Sequence, residues 1–293
     1  MIQYIGIIGY PLKHSLSPDF QQAALDYCRL DIHYQVWATE AKNLPSAINR
    51  LRQAENLGAN VTVPYKEAVL PLIDEADDLA SLIGAVNTIV NRDGNLVGSN
   101  TDAQGFLKAL HENAKFEPQN KHVVILGAGG AARAVSFALL QEMVSSLAIV
   151  NRSLARAEAL VDSLGKHAIG KEIQAELTAW SLQDSKLLET VQHSQLIVNC
   201  TTLGTRYSSQ EGQSPLAAHS IPKGALVYDL VYNPSQTPLL TMAREAGANV
   251  LGGFPMLVYQ GAASFKLWTG REAPLDIMYT AAKQALLKIG GQR

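Results

Sequence analysis

The sequence predicts an α/β fold in two domains, and three observations carry the prediction. Short runs rich in Val, Ile and Leu recur between longer segments of helical periodicity, the pattern of parallel strands covered on both faces. One of these runs leads straight into a cluster of glycines and then into another helical pattern. Finally, 293 residues, 47% of them hydrophobic, suffice for two domains with a core each and exclude disorder as a global description.

In chain order, strands are expected at residues 5–8, 34–37, 123–126, 147–150, 196–198 and 226–228. Ser17-Pro18 opens a helix, with Ser17 as the N-cap and the proline at the first helical position. Thr101 and Gln104 have capping-box spacing and lead into Phe106, Leu107 and Leu110. Ser153 is placed to cap a helix over residues 154–164 that stops at Gly165. Thr237-Pro238 starts another helix, ending at Gly247, and a further one is expected over 255–268. The polar stretch 112–121 reads as a helix tail and connector, so a domain boundary belongs near it.

Composition narrows the partners. Lys and Arg number 24 against 26 Asp and Glu, a net charge of −2, which argues against general affinity for nucleic acid or anionic membrane and points to a small-molecule partner. Cys28 and Cys200 belong to no CxxC or Cys/His cluster, so no disulfide framework or metal site is expected and both should be reduced thiols of a cytoplasmic protein. Met1-Ile2-Gln3-Tyr4 lacks the basic start of a signal peptide. The most apolar stretch, 123–140, contains Arg133 and three glycines and reads as strand, turn and helix rather than a membrane span.

After the run at 123–126 comes Gly127-Ala128-Gly129-Gly130-Ala131-Ala132, which fits G-x-G-x-x-A. The first glycine makes the turn, the second lets pyrophosphate approach the backbone, and the third small residue lets helix pack on strand. A glycine-rich turn also joins strand to helix for structural reasons alone, so its neighbours matter. The next strand ends at Asn151-Arg152-Ser153, with Arg152 25 positions beyond Gly127. There an NAD site places an acid for the ribose 2′-hydroxyl, whereas an arginine suits a 2′-phosphate. Arg152, Ser153 and Arg156, one helical turn on, therefore predict NADP; the alternative is a solvated cationic face. The loops Asn199-Cys200-Thr201-Thr202 and Val231-Tyr232-Asn233-Pro234 follow later strands, at the carboxyl ends where open α/β sheets bind ligands.

The first hundred residues carry polar clusters that fold alone does not require: His14-Ser15-Leu16-Ser17-Pro18, Asn60-Val61-Thr62-Val63-Pro64-Tyr65-Lys66, Gly84-Ala85-Val86-Asn87-Thr88 and Asn100-Thr101-Asp102. Read as H-S-x-S-P, N-V-T-x-P-x-K, G-A-x-N-T, N-T-D-x-x-G, G-A-G-G-A-A, N-R-S, D-x-V-Y-x-P-x-x-T-P-L and M-L-V-x-Q, the chain resembles the shikimate dehydrogenases, in order from Gly9 to Gln260. The resemblance implies NADP-dependent, reversible reduction of 3-dehydroshikimate to shikimate, in chorismate and aromatic amino acid biosynthesis. It implies that Lys66 and Asp102 form the catalytic pair. It implies that Ser15 and Ser17, helped by Tyr232, hold the substrate carboxylate, and that Thr62, Asn87 and Gln260 hold ring hydroxyls. Gly127, Ala128, Gly129, Gly130, Ala131, Asn151, Arg152, Ser153 and Arg156 would bind the cofactor, with Asn199, Thr201 and Gly253 on its nicotinamide side. The chemistry agrees: a carbonyl accepting hydride needs a proton on its oxygen, and a lysine can supply that proton or take it back, with Asp102 either holding the ammonium or sharing its proton, so the residues leave open which of the two is the formal acid. Structural alternatives are an exposed lysine, a helix-start aspartate and an N-cap serine.

The chain departs from the family where Gln21-Gln22 follow Ser17-Pro18 in place of His-Asn, and where Thr205 follows Leu203-Gly204 in place of methionine. Gln260 comes long after the nucleotide segments, so the C-terminal helices should pack back on the N-terminal domain. The expected division is a substrate domain of residues 1–103 and 238–293, interrupted by a Rossmann-type NADP domain of 104–237, with the active site in a cleft. Quinate or mixed quinate/shikimate activity with NAD(P), an aminoshikimate-type enzyme, a folate-linked methylene dehydrogenase and a non-catalytic NADP-binding regulator are the alternatives. An inactive relative would be expected to have lost Lys66 or Asp102. Monomer and homodimer are both compatible with the sequence.

Overall fold

The computed structural model describes residues 2–13 and 15–291; Met1 and the His14 of H-S-x-S-P lie outside the described residues. In chain order the regular elements are β1 (Gln3–Gly9), α1 (Ser17–Tyr27), β2 (Ile32–Ala38), α2 (Leu44–Arg50), β3 (Asn56–Val61), β4 (Glu75–Ala76), α3 (Asp78–Ile83), β5 (Thr88–Arg92), β6 (Asn95–Ser99) and α4 (Asp102–Ala114). There follow β7 (His122–Leu126), α5 (Gly130–Gln141), β8 (Ser146–Asn151), α6 (Leu154–Gly170), β9 (Glu176–Ser181), α7 (Leu187–Gln192), β10 (Leu196–Asn199), β11 (Leu226–Asp229), α8 (Pro238–Glu245), β12 (Asn249–Gly252), α9 (Phe254–Thr269) and α10 (Leu275–Gly291). Each expected strand is present.

The chain divides into two compact units, Met1–Gly105 with Val258–Arg293, and Phe106–Leu257. The first crossing lies two residues from the expected 103/104. The second comes twenty residues later than expected, because α8 and β12 belong to the second unit: β12 pairs with β11 and extends its sheet. The C-terminal return is therefore made by residues 258–291, with α10 packed on α1.

In the first unit the sheet runs β2-β1-β3-β5-β6-β4. It is mixed rather than purely parallel, since β5 runs antiparallel to both β3 and β6. The cause is local: Asp93-Gly94, with φ of 53° and 91°, forms a two-residue turn of the kind that closes a tight hairpin. Ile8, Leu44, Ile48, Leu51, Val61 and Ile89 make the core under α2, each fully buried side chain worth about 1.5–3 kcal/mol. In the second unit the sheet runs β12-β11-β10-β7-β8-β9, all parallel. That is the doubly wound order, with the switch point between β7 and β10. Val124, Leu126, Ile197, Val227, Leu239 and Leu240 pack α8 onto this sheet.

Helix ends differ from expectation in three places, one of them Ser153, which occupies the N-cap position of α6 without a side-chain capping hydrogen bond. Ser17 is the first residue of α1 rather than its N-cap, which is Leu16. Helix α6 continues through Gly165 to Gly170; the glycine costs about 1 kcal/mol relative to alanine but does not end a helix whose buried stripe runs on to Ala168. Thr237 caps α8 as expected, its hydroxyl accepting from the Leu240 amide at 3.2 Å.

Candidate active site

In the first unit the exit from β3 carries Thr62, whose amide donates to the Ile8 carbonyl of β1 (2.9 Å). The buried Tyr65 next to it donates its hydroxyl to the Thr39 carbonyl (2.7 Å), which anchors the turn that presents Lys66. Lys66 Nζ meets Asp102 Oδ2 at 2.5 Å, with side-chain exposures of 15% and 4%. Asp102 is the first residue of α4, where the helix dipole favours a negative charge. Its other oxygen, Oδ1, accepts from Asn87 Nδ2 (2.9 Å).

The orientation of Asn87 follows from an obligate donor. The Thr101 amide can only donate and does so to Asn87 Oδ1 (2.8 Å), so Nδ2 is turned toward Asp102, Thr101 Oγ1 (2.8 Å) and Gln260 Oε1 (3.2 Å). Gln260 reaches this cluster because α4 and α9 approach at Gly105, where a Cβ would come within 2.7 Å of the Gln260 amide nitrogen. The last glycine of N-T-D-x-x-G thus brings the last glutamine of M-L-V-x-Q to the Lys66–Asp102 pair.

Sequence reading missed the layer behind these groups. Ser264 Oγ lies 2.7 Å from Thr88 Oγ1 and 3.2 Å from Thr101 Oγ1, and accepts from Asn60 Nδ2 at 3.1 Å. Asn60 Oδ1 accepts from the Tyr34 hydroxyl (2.8 Å), which the Ser17 side chain also meets. Burial pushes the Tyr34 phenol above its ordinary pKa. Gln260, Ser264 and Trp268, at i, i+4 and i+8, engage Asn87, Thr88 and the Ile89 carbonyl, successive positions at the start of β5. That helical spacing was the signal available in the sequence. Ser15, half-buried, accepts from the Ser17 amide at 3.4 Å. The departures Gln21 and Gln22 are structural ties: Gln21 Nε2 donates to the Gly261 carbonyl (2.8 Å), and Gln22 Oε1 accepts from the Tyr34 amide (2.7 Å).

The second unit gathers the nucleotide motif at the carboxyl ends of its strands. Gly127 turns the chain out of β7 with φ +116°, a conformation L side chains rarely adopt. Gly129 faces open space, Gly130 and Ala131 start α5, and the first amides of a helix have no intrahelical acceptor, which suits an anion. Asn151 closes β8, its Nδ2 donating to the Ser153 carbonyl (3.0 Å), while Arg152, Ser153 and Arg156 are exposed at the start of α6. The buried Gly253 donates its amide to the Val231 carbonyl (3.3 Å), beside Tyr232 after β11. Thr205, the second departure, donates its amide to the Thr202 carbonyl (3.2 Å) in the turn that follows β10.

Asn199 requires a correction. Its exposure is 0% and its amide is spent inside the protein: Nδ2 donates to Asp229 Oδ1 (2.8 Å), and Oδ1 accepts from the Thr201 amide (3.0 Å) and hydroxyl (2.7 Å). Its side-chain amide is thus turned inward and shapes the loop that presents the half-buried Thr201. Asp229, which the sequence marked only as part of a motif, also accepts from Thr237 Oγ1 (2.6 Å) and the Val231 amide (3.1 Å). Burial holds its carboxyl above the usual carboxylate range against these three donors. Among the described residues no group of three His, Cys, Asp or Glu side chains could hold a metal ion, and no helix is long and apolar enough to cross a membrane.

A doubly wound sheet with a glycine-rich loop at its switch point, together with a buried lysine–carboxylate pair among neutral amides and hydroxyls, defines a dinucleotide-dependent oxidoreductase. Three family models match along the chain: the shikimate dehydrogenase substrate binding domain over residues 7–89, shikimate/quinate 5-dehydrogenase over 109–216, and the shikimate 5′-dehydrogenase C-terminal domain over 253–283. The chain is 43% identical to the NADP(+) shikimate dehydrogenase of Moorella thermoacetica, across 96% of its own length and 93% of the relative's. It is 41% identical to the enzyme of the same name from Methanopyrus kandleri, across 96% and 95%. The crystal structure of the Thermus thermophilus shikimate 5-dehydrogenase in complex with NADP(H) and shikimate superposes with a TM-score of 0.83 at 37% identity, covering 97% of this chain and 99% of that one. The chain belongs to the shikimate dehydrogenase family.

Proposed function

We propose that the protein catalyses the reversible, NADP-dependent reduction of 3-dehydroshikimate to shikimate, a step toward chorismate and the aromatic amino acids. The observation that carries this reading is the Lys66–Asp102 pair, 2.5 Å apart and almost fully buried, with Asn87 and Gln260 beside it. In reduction, Lys66 Nζ donates a proton to the substrate's carbonyl oxygen; in oxidation it takes the proton back from the hydroxyl. Asp102 holds the ammonium through Oδ2 and is itself held through Oδ1. Ser15 and Ser17, with Tyr232, take the substrate carboxylate, and Thr62, Asn87 and Gln260 take its ring hydroxyls. A site of neutral donors built to pair hydroxyl groups rejects analogues that lack them.

Residues 106–257 are the cofactor unit in this reading, and residues 1–105 with 258–293 the substrate unit. The open backbone at Gly129 and the free amides at the start of α5 fit a pyrophosphate held by Gly127, Ala128, Gly129, Gly130 and Ala131. Asn151, Arg152, Ser153 and Arg156 take the ribose 2′-phosphate, and Thr201 and Gly253 flank the nicotinamide. NADPH, when bound, supplies the hydride. Cys28 and Cys200, neither of them in a disulfide, fit a reducing, cytoplasmic setting. The test is a set of initial rates with shikimate and with quinate, each with NADP and with NAD. The highest kcat/KM is expected for shikimate with NADP; a preference for quinate with NAD would refute the reading.

A further inference from the structure

Asp229 is a fully buried carboxylate for which the proposed proton and hydride transfers have no use. Its donors come from three separate segments at the carboxyl end of the second unit's sheet: Asn199 at the end of β10, Val231 in the turn after β11, and Thr237 at the N-cap of α8. The direction of the chain of hydrogen bonds is fixed. The Thr201 amide can only donate, so Asn199 Oδ1 faces Thr201 and Nδ2 faces Asp229 Oδ1. Thr201 in turn lies against the turn of the glycine-rich loop, where a Cβ on Gly127 would come within 3.3 Å of its Cγ2. Asp229 is thereby connected to the ends of β7, β10 and β11, the strand ends where such a sheet binds its ligand.

We infer that Asp229 is a positioning residue for the cofactor, setting Thr201 and the glycine-rich loop through the Asn199 amide. The inference rests on the reading of residues 106–257 as the NADP-binding unit. Its two oxygens have different loads. Oδ1 accepts from Asn199 Nδ2 and the Val231 amide, and Oδ2 from the Thr237 hydroxyl alone. An asparagine at 229 keeps the Oδ1 contacts and places its NH2 on the Thr237 hydroxyl, which can turn to accept. An alanine leaves the Asn199 and Val231 donors unpaired in a buried site, and unpaired buried donors are costly.

The experiment is a fluorescence titration of NADPH in the absence of substrate, with steady-state kcat and KM values, on wild type, Asp229→Ala, Asp229→Asn and Asn199→Ala, each checked for folding by circular dichroism. Asp229→Ala and Asn199→Ala are expected to weaken NADPH binding and raise the KM for NADP by about tenfold or more, with smaller changes in the KM for shikimate. Asp229→Asn is expected to recover most of that affinity. Wild-type affinity in folded Asp229→Ala or Asn199→Ala would overturn the inference, as would an Asp229→Asn variant as weak as Asp229→Ala. Where Asp229→Ala does not fold, Asn199→Ala decides. Failure of the wild-type protein to bind NADPH would instead refute the cofactor reading, a result independent of any variant.

Discussion

The two units bury the same small device and use it differently. In the first, Asp102 accepts from Asn87 Nδ2, and Asn87 Oδ1 accepts from the amide and hydroxyl of Thr101. In the second, Asp229 accepts from Asn199 Nδ2, and Asn199 Oδ1 accepts from the amide and hydroxyl of Thr201. Each Asn amide is locked by a threonine N–H that can only donate, so each Asp oxygen is aimed without ambiguity. The other carboxylate oxygen marks the difference. Asp102 holds the ammonium of Lys66, which keeps 15% of its side chain exposed, whereas Asp229 holds the hydroxyl that caps α8. Asp102 thus holds a cation that keeps partial access to solvent, whereas Asp229 is met by neutral donors alone. In the proposed reading Asp102 holds the ammonium that moves the proton, and Asp229 holds the loops around the cofactor.

The largest effect that would break this contrast is at Asp102. Asp102→Asn removes the partner of the Lys66 ammonium and is expected to lower kcat by about 10²–10⁴-fold in steady-state assays with shikimate and NADP. A kcat within a few-fold of wild type would put the two carboxylates in the same structural class. Next, Arg152→Ala should raise the KM for NADP by about tenfold or more while changing that for NAD little, since a charge-assisted contact is worth about 1.5–3 kcal/mol. Equal effects on both cofactors would remove the 2′-phosphate assignment.

A smaller effect is expected at the crossing of α4 and α9. Gly105→Ala drives a methyl group to 2.7 Å from the Gln260 amide nitrogen and should destabilise the protein by about 1–3 kcal/mol, with a raised KM for shikimate. Thermal unfolding and kinetics together check it; an unaffected KM would separate Gln260 from the substrate. The smallest effect is a pH dependence at Asp229. Burial raises its carboxyl pKa, so the folded protein disfavours its charge, and wild type loses stability relative to Asp229→Asn as pH rises from about 4 through the raised value. Melting temperatures of the two proteins between pH 4 and 8 should show the difference, Asn minus Asp, growing with pH. A difference that shrinks would mean the three donors outweigh burial.

Local pattern carried much of the fold. Runs of Val, Ile and Leu followed by a glycine turn announce a parallel strand and its ligand loop wherever they stand, and Thr237-Pro238 announces α8 because the capping chemistry is contained in four residues. What escaped depended on pairing across the chain. The Asp93-Gly94 hairpin reverses one strand of the first sheet, and β12 was hidden because a four-residue edge strand next to β11 has little pattern of its own. The same division holds for the site. Lys66, Asp102, Asn87 and Gln260 were legible as motifs and are joined by hydrogen bonds. Ser264, Asn60 and Tyr34 support them from elements far apart in sequence, and the burial of the Asn199 side chain cannot be read from a loop motif.

In the proposed reaction Lys66 moves the proton while cofactor binding belongs to residues elsewhere in the chain. The direct measurement is Lys66→Ala, assayed for turnover of shikimate with saturating NADP and, separately, for NADPH affinity. The kcat is expected to fall by about 10²–10⁴-fold with NADPH binding close to that of wild type. Undiminished turnover in Lys66→Ala would contradict it.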